Sequence, residues 1–164
     1  MLKSFYNDIL THLGQLVTLP ADPAQEPVPV IKQKGWWNEQ WANEKQLQPL
    51  KFPCVFVEFT SLPYEQLGNK VQQATATIRL HIGSRSMDEE SVNHLDLIEA
   101  INYVITGFQG SNFGTFTRTA LEVDHNHDTL VAHVLTYRVR IQDNTAIRPL
   151  VSVMGDLYVL NPTA

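Results

Sequence analysis

The sequence predicts an α+β domain in which two helices pack on one face of a mainly antiparallel sheet of four to five strands, with extended arms at the ends. Three observations carry that expectation. Apolar residues recur at helical spacing over 1–17 and again over 95–108. Between and after these segments lie runs rich in β-branched and aromatic residues, one of which alternates strictly. The resulting order is helix, arm, two strands, helix, two strands, arm, which places helices over one side of a sheet built from neighbouring strands.

The first helix is expected over residues 1–17, where Leu2, Phe5, Ile9, Leu13 and Leu16 form a stripe between Lys3, Asn7, Asp8 and Gln15, with Pro20 as its stop. Residues 18–29 hold Pro20, Pro23, Pro27 and Pro29 and read as an extended connection. A short strand at Val30-Ile31-Lys32 is followed by a loop carrying Trp36, Trp37 and Trp41. Phe52 to Phe59 reads as a strand with Pro53 at its start, where a proline is tolerated.

From Gln73 to Ile82 the alternation is clean. Ala74, Ala76, Ile78, Leu80 and Ile82 point one way, and Gln73, Thr75, Thr77, Arg79 and His81 the other, as on a half-buried strand. The two strands should pair antiparallel through a long loop, Ser61–Lys70. Ser86-Met87-Asp88-Glu89 has the spacing of a capping box, opening a helix whose apolar face is Leu95, Ile98, Ile101, Ile105 and Phe108 and whose end is Gly107 or Gly110. Strands at about 115–123 and 129–141 follow, joined by the turn Asp124-His125-Asn126-His127-Asp128. In the last strand Val131, Leu135, Tyr137, Val139 and Ile141 share a face, opposite Thr136, Arg138 and Arg140.

Residues 1–142 therefore read as one domain with a Trp-containing insert at 33–50, and residues 143–164 as a C-terminal arm. The 164 residues are 43% hydrophobic and 18% charged, enough to build a core without staples. The single cysteine, Cys54, lies inside the run Phe52–Val57 and reads as a small buried hydrophobe, excluding an intrachain disulfide framework. Met1-Leu2-Lys3-Ser4-Phe5 lacks the cationic and apolar order of a signal peptide, and no apolar run of ~18 residues offers a membrane span. A formal charge of −5 with scattered cations argues against general nucleic-acid binding.

Few residues suggest chemistry. Asp124-His125-Asn126-His127-Asp128 offers metal-ligand types, yet neighbouring turn residues splay apart, and turn formation alone explains the composition. His81 and His133 lie in strands and can face one another across the sheet; each also fits a simple hydrogen-bonded strand histidine. There is no nucleophile elbow, phosphate loop or dinucleotide fingerprint, so neither catalysis nor a cofactor or metal is expected. Trp36, Trp37 and Trp41 fit either packing within the domain or anchoring of a subunit interface. Arg79, Arg138 and Arg140, with His81, form a polar strand face that is either solvent-exposed or set against a second subunit.

This order of elements resembles the small tail-terminator and tail-completion proteins of tailed phages, the lambda type and its relatives, including prophage versions. The likeness lies in an N-terminal helix, the proline-opened strand Phe52-Pro53-Cys54-Val55-Phe56-Val57-Glu58-Phe59 and the alternating strand Ala74-Thr75-Ala76-Thr77-Ile78-Arg79-Leu80-His81-Ile82. The helix Asp88 to Gly107, with its acidic start, and the hairpin Thr115 to Ile141 complete it over about residues 1–142. The resemblance implies a hexameric ring in the virion's tail–neck region, assembled in the bacterial cytoplasm. Such a ring stops polymerisation of the tail-tube protein and joins the head connector, with DNA passing its lumen without specific binding. A head-side neck or connector protein of similar size is the nearest alternative, and a small metal-binding module or enzyme using the His125/His127 hairpin is a second. The insert at 33–50 and the tail at 143–164 depart from the family's minimal pattern.

Overall fold

A computed structural model describes residues 1–22, 24–41, 49–68, 70–85, 94–124 and 130–144. In chain order they form α1 (Leu2–Leu13), β1 (Val17–Thr18), β2 (Val28–Pro29), β3 (Gln33–Trp36), β4 (Cys54–Ser61), β5 (Tyr64–Gly68), β6 (Val71–Arg85), α2 (His94–Ile105), β7 (Thr117–Asp124) and β8 (Leu130–Asp143). The class is α+β, as expected, but the main sheet has six strands instead of four or five, and β1 and β2 form a separate antiparallel ribbon.

Strands β3, β4, β6, β8 and β7 lie side by side in that order, and β5 pairs with the first part of β6. Only the β3–β4 pairing is parallel among these ladders. The central ladder runs the full length of β6 and β8, from Gln72 opposite Asp143 to Arg85 opposite Leu130. Alternation decides which side of it is buried. Ala74, Ala76, Ile78, Leu80 and Ile82 of β6 line one face with Val55 and Val57 of β4 and with Leu135, Tyr137, Val139 and Ile141 of β8. Phe5, Ile9 and Leu13 of α1 and Leu97, Ile98, Ile101 and Ile105 of α2 cover it, so both helices sit on the same face.

Three contacts fix the helices to one another and to the sheet. His12 Nε2–H donates to the Val104 carbonyl at 2.9 Å, and its ring stacks on Phe108 at 3.9 Å. The Tyr137 hydroxyl, buried at the sheet's centre, donates to Asn102 Oδ1 at 3.1 Å, giving the phenol the partner that burial demands.

Several boundaries differ from expectation for identifiable reasons. Helix α1 stops at Leu13 and not near residue 17: Gly14 N–H caps it on the Leu10 and Thr11 carbonyls, and Leu16 reaches the core from the turn that follows. The short strand lies at Gln33–Trp36 instead of Val30–Lys32, because the Pro53 carbonyl receives the Lys32 and Gln33 N–H groups and sets the β4 register there. Ile31 is buried by packing, without pairing.

The expected loop Ser61–Lys70 contains β5, whose residues are all exposed and so lack any apolar signature. Its turn into β6 places Gly68 at φ +103° and Lys70 at φ +64°, the left-handed geometry tight hairpins need. In α2, Leu95 is exposed and Leu97 takes its place in the core. At about 100° per residue, Leu95 falls about 100° from the centre of the stripe formed by residues 97, 98, 101 and 105. Gly107, at φ +85°, ends the helix segment as its residue type suggests. The capping box at 86–89, the turn residues 125–128 and the arm from 145 onward lie outside the described residues.

Candidate functional site

The sheet face opposite the helices divides into an apolar half and a charged half. In the first, Cys54 and Phe56 of β4 and Leu130 and Ala132 of β8 are buried beneath Trp41, with Trp37, Leu50 and Phe52 packed at the margin. The turn after β3 delivers this lid. Trp36 and Trp37 are successive residues and point to opposite sides of the sheet, as strand geometry requires. Trp36 meets Tyr6 and Phe59 on the helix side, whereas Trp37 meets Phe56, His81 and Trp41 on the other.

Of the three tryptophans, Trp41 is thus fully committed to the domain's own packing, Trp37 is half-buried and Trp36 remains 47% exposed. Cys54 is wholly buried here, and burial pushes its thiol up to about 12 despite a contact with the Gly83 carbonyl. It is therefore inert: thiol-reactive maleimide should fail to label the native protein and label it fully once unfolded, as mass spectrometry would show.

The charged half begins at His81. It is buried and not exposed with its neighbours on the polar face, because the Trp37 ring stacks flat on it at 3.9 Å and 3°. Its Nε2–H donates to Glu58 Oε2 at 2.8 Å, which leaves the Nδ1 lone pair buried without a hydrogen-bond donor. Desolvation lowers its pKa against the opposing pull of the Glu58 carboxylate, so the ring stays neutral at physiological pH. Glu58 also lies 3.9 Å from Arg79, which bonds Glu122 at 3.0 Å. Arg79 is therefore paired within the subunit. Arg138 and Arg140 stay exposed on β8. The row Glu58–Arg79–Glu122 sets two carboxylates against one guanidinium and lies partly in solvent, where such pairs contribute little to stability.

His81 and His133 do not face each other. His81 pairs with Val134 and His133 with Ile82, so the two side chains leave opposite faces. His133 instead meets His94, which no periodicity in the chain marks out. His94 Nε2 lies 2.8 Å from His133 Nδ1, and His94 Nδ1 lies 2.5 Å from Ser84 Oγ. The order Ser–His–His matches the connectivity of a nucleophile, its base and an orienting group. However, desolvation, aided by the nearby His133, holds His94 down to about 4. A base that weak is badly matched to general-base work near neutral pH.

That depression has a measurable consequence. Between the ordinary value of 6.5 and about 4, the unfolded chain takes up a proton at residue 94 that the folded chain refuses. Its stabilising contribution is whole above 6.5 and declines as pH falls through this window. Urea midpoints measured across the window should fall with pH, and His94→Gln should flatten the fall.

Among the described residues no group of three or more His, Cys, Asp or Glu side chains is gathered to hold a metal ion, and no helix is long and apolar enough to cross a membrane. No protein-family model matches the chain, and no curated protein is significantly similar to it in sequence.

Proposed function

We propose that this protein is a structural subunit of a phage or prophage tail that closes into a ring, ends tail-tube polymerisation and joins the tail to the head connector. The observation that carries the reading is the edge strand β7. It is the last strand of the main sheet, it spans eight residues, and its outer edge has no strand partner among the described residues. The helix layer does not cover it: Leu121 and Val123, on its helix-side face, are 48% and 49% exposed.

An uncovered edge with apolar side chains is costly to leave in water and promotes association. The sheet's opposite edge is different in kind, being the four-residue parallel strand β3 with the half-exposed Trp36. Two unlike edges on one molecule make a head-to-tail contact, and such contacts close into rings when the rotation between copies allows. Strand addition at β7 supplies main-chain hydrogen bonds for that contact. In this reading Trp36 and the exposed Arg138 and Arg140 lie at or near subunit boundaries, whereas Trp41 shapes the subunit that makes them. An acidic protein with few clustered cations suits a lumen through which DNA slides.

Cysteines placed on the two edges test the head-to-tail contact directly. Because Cys54 is buried, Leu121→Cys combined with Lys34→Cys adds the two accessible thiols that matter. A short bis-maleimide should give a ladder of crosslinked species ending at about six subunits. A ladder that never exceeds monomer under the same treatment would rule the contact out.

A further inference from the structure

We propose that the open sheet face carrying Arg138 and Arg140 docks the outer face of α2 from a second copy of this chain, with Asp96 and Glu99 as the acidic partners. The inference gives the two arginines a specific partner and holds whether or not the copies close into a ring.

Both surfaces follow from the periodicity of their elements. On β8, Leu135, Tyr137, Val139 and Ile141 face the helices, so Arg138 and Arg140 stand together on the other side, exposed. Two residues apart on one strand, they are separated by about 7 Å. Their cross-strand neighbours are Thr77 and Thr117 beside Arg138 and Thr75 beside Arg140. These short side chains leave the two guanidiniums standing above the sheet. On α2, Leu97, Ile98, Ile101 and Ile105 turn inward, which leaves Asp96, Glu99 and Tyr103 exposed on the outer face. Asp96 and Glu99 lie three positions apart, which puts their β-carbons about 5–6 Å from each other. The two spacings match closely enough for each guanidinium to take one carboxylate in a forked contact.

Three features favour a second copy over solvent as the occupant. Arg79 already lies between Glu58 and Glu122, whereas among the described residues no carboxylate pairs with Arg138 or Arg140, and no cation pairs with Asp96 or Glu99. Opposite charges are also segregated: residues 94–105 contain no Lys or Arg, and residues 130–142 contain no Asp or Glu. The acidic helix face and the basic sheet face lie on opposite sides of the molecule, so they attract when copies stack in the same orientation. Finally, Tyr103 stands one turn beyond Glu99 and is 84% exposed, an aromatic ring placed to lie on an arginine of the neighbour. Tyrosine and arginine are the residue types that anchor interfaces. Because the two faces differ, the contact is head-to-tail, and one kind of contact serves every copy.

The test is analytical ultracentrifugation of the full chain carrying Leu121→Ser and Val123→Ser. These changes weaken the β7 contact without adding charge, so failure here is separate from failure of the ring reading. At low ionic strength the mass should rise above monomer with concentration. It should return to monomer in about 1 M salt, where the screening length falls to about 3 Å. Adding Arg138→Glu with Arg140→Glu, or Asp96→Lys with Glu99→Lys, should weaken association by roughly tenfold or more. An equimolar mixture of these two reversed chains should associate again, because each now offers the other a complementary face. Urea midpoints confirm that both reversed chains are folded. A monomer throughout at low ionic strength would overturn the proposal and leave the arginines to a different acidic partner. Association indifferent to salt and to either reversal would overturn it too, as would a mixture that stays monomeric.

Discussion

Trp41→Ala should be the most damaging single substitution among the three tryptophans, lowering stability by about 3–5 kcal/mol. Trp41 is 3% exposed and roofs a second core made of Cys54, Phe56, Leu130 and Ala132. Its removal opens a void that rigid strands β4, β6 and β8 cannot collapse to fill, so the lost transfer energy and the cavity penalty add. The sheet is shaped to receive the ring. A Cβ at Gly83 would stand 3.2 Å from Trp41 Cζ3 and 3.2 Å from Cys54 Sγ, tighter than ordinary contact, so the glycine lets the indole lie against the backbone.

Against a total stability of about 5–15 kcal/mol, a loss of this size leaves a marginal fold. For a chain of this length it lowers the melting temperature by roughly 10 °C. Trp36→Ala, at a position 47% exposed, should cost no more than about 1 kcal/mol. Thermal melts of the two variants side by side check the contrast. Similar losses in both would mean that the apolar half of the open face is not an independent core.

The second large effect concerns assembly. Joint replacement of Leu121 and Val123 by lysine should leave the monomer folded and abolish the proposed ring. Both side chains are about half exposed, so each has about 1 kcal/mol of apolar burial left to gain on association. The lysines forfeit that gain and add charges that must be desolvated. Each contact then weakens by at least about 2 kcal/mol, roughly thirtyfold, and a closed ring suffers the loss at every contact. Monomer stability should stay within about 0.5 kcal/mol of the parent, since neither residue lies in the core. Size-exclusion chromatography at matched concentrations reads the first effect and urea denaturation the second.

Much of this arrangement was legible in the sequence where one physical rule governed a segment. The alternation from Ala74 to Ile82 placed β6 and its buried face because a sheet core admits one parity only. The stripe of Phe5, Ile9 and Leu13 gave α1 for the corresponding helical reason. Features that depend on contacts between distant segments were not legible. Strand β5 has no apolar face to announce it and exists because β6 extends far enough to pair with it. Strand β3 is defined by the Pro53 carbonyl, not by its own hydrophobicity.

The histidines show the same division. Alternation puts His81 on the polar face, where it lies, but its burial comes from Trp37, which the fold brings from more than forty positions away in sequence order. The His94–His133 pair joins a helix to a strand and leaves no periodic trace. Ser84 and His133, two residues on neighbouring strands, become a cluster only when the register of β6 and β8 is known.

The central claim, a ring-closing subunit, is tested most directly by the solution mass of the purified protein, measured by light scattering over a concentration series with electron micrographs of any large species. The account predicts a closed assembly of about six subunits with a central hole, formed at the expense of monomer as concentration rises. A strict monomer across the whole series, with the β7 edge fully open to solvent, would contradict it.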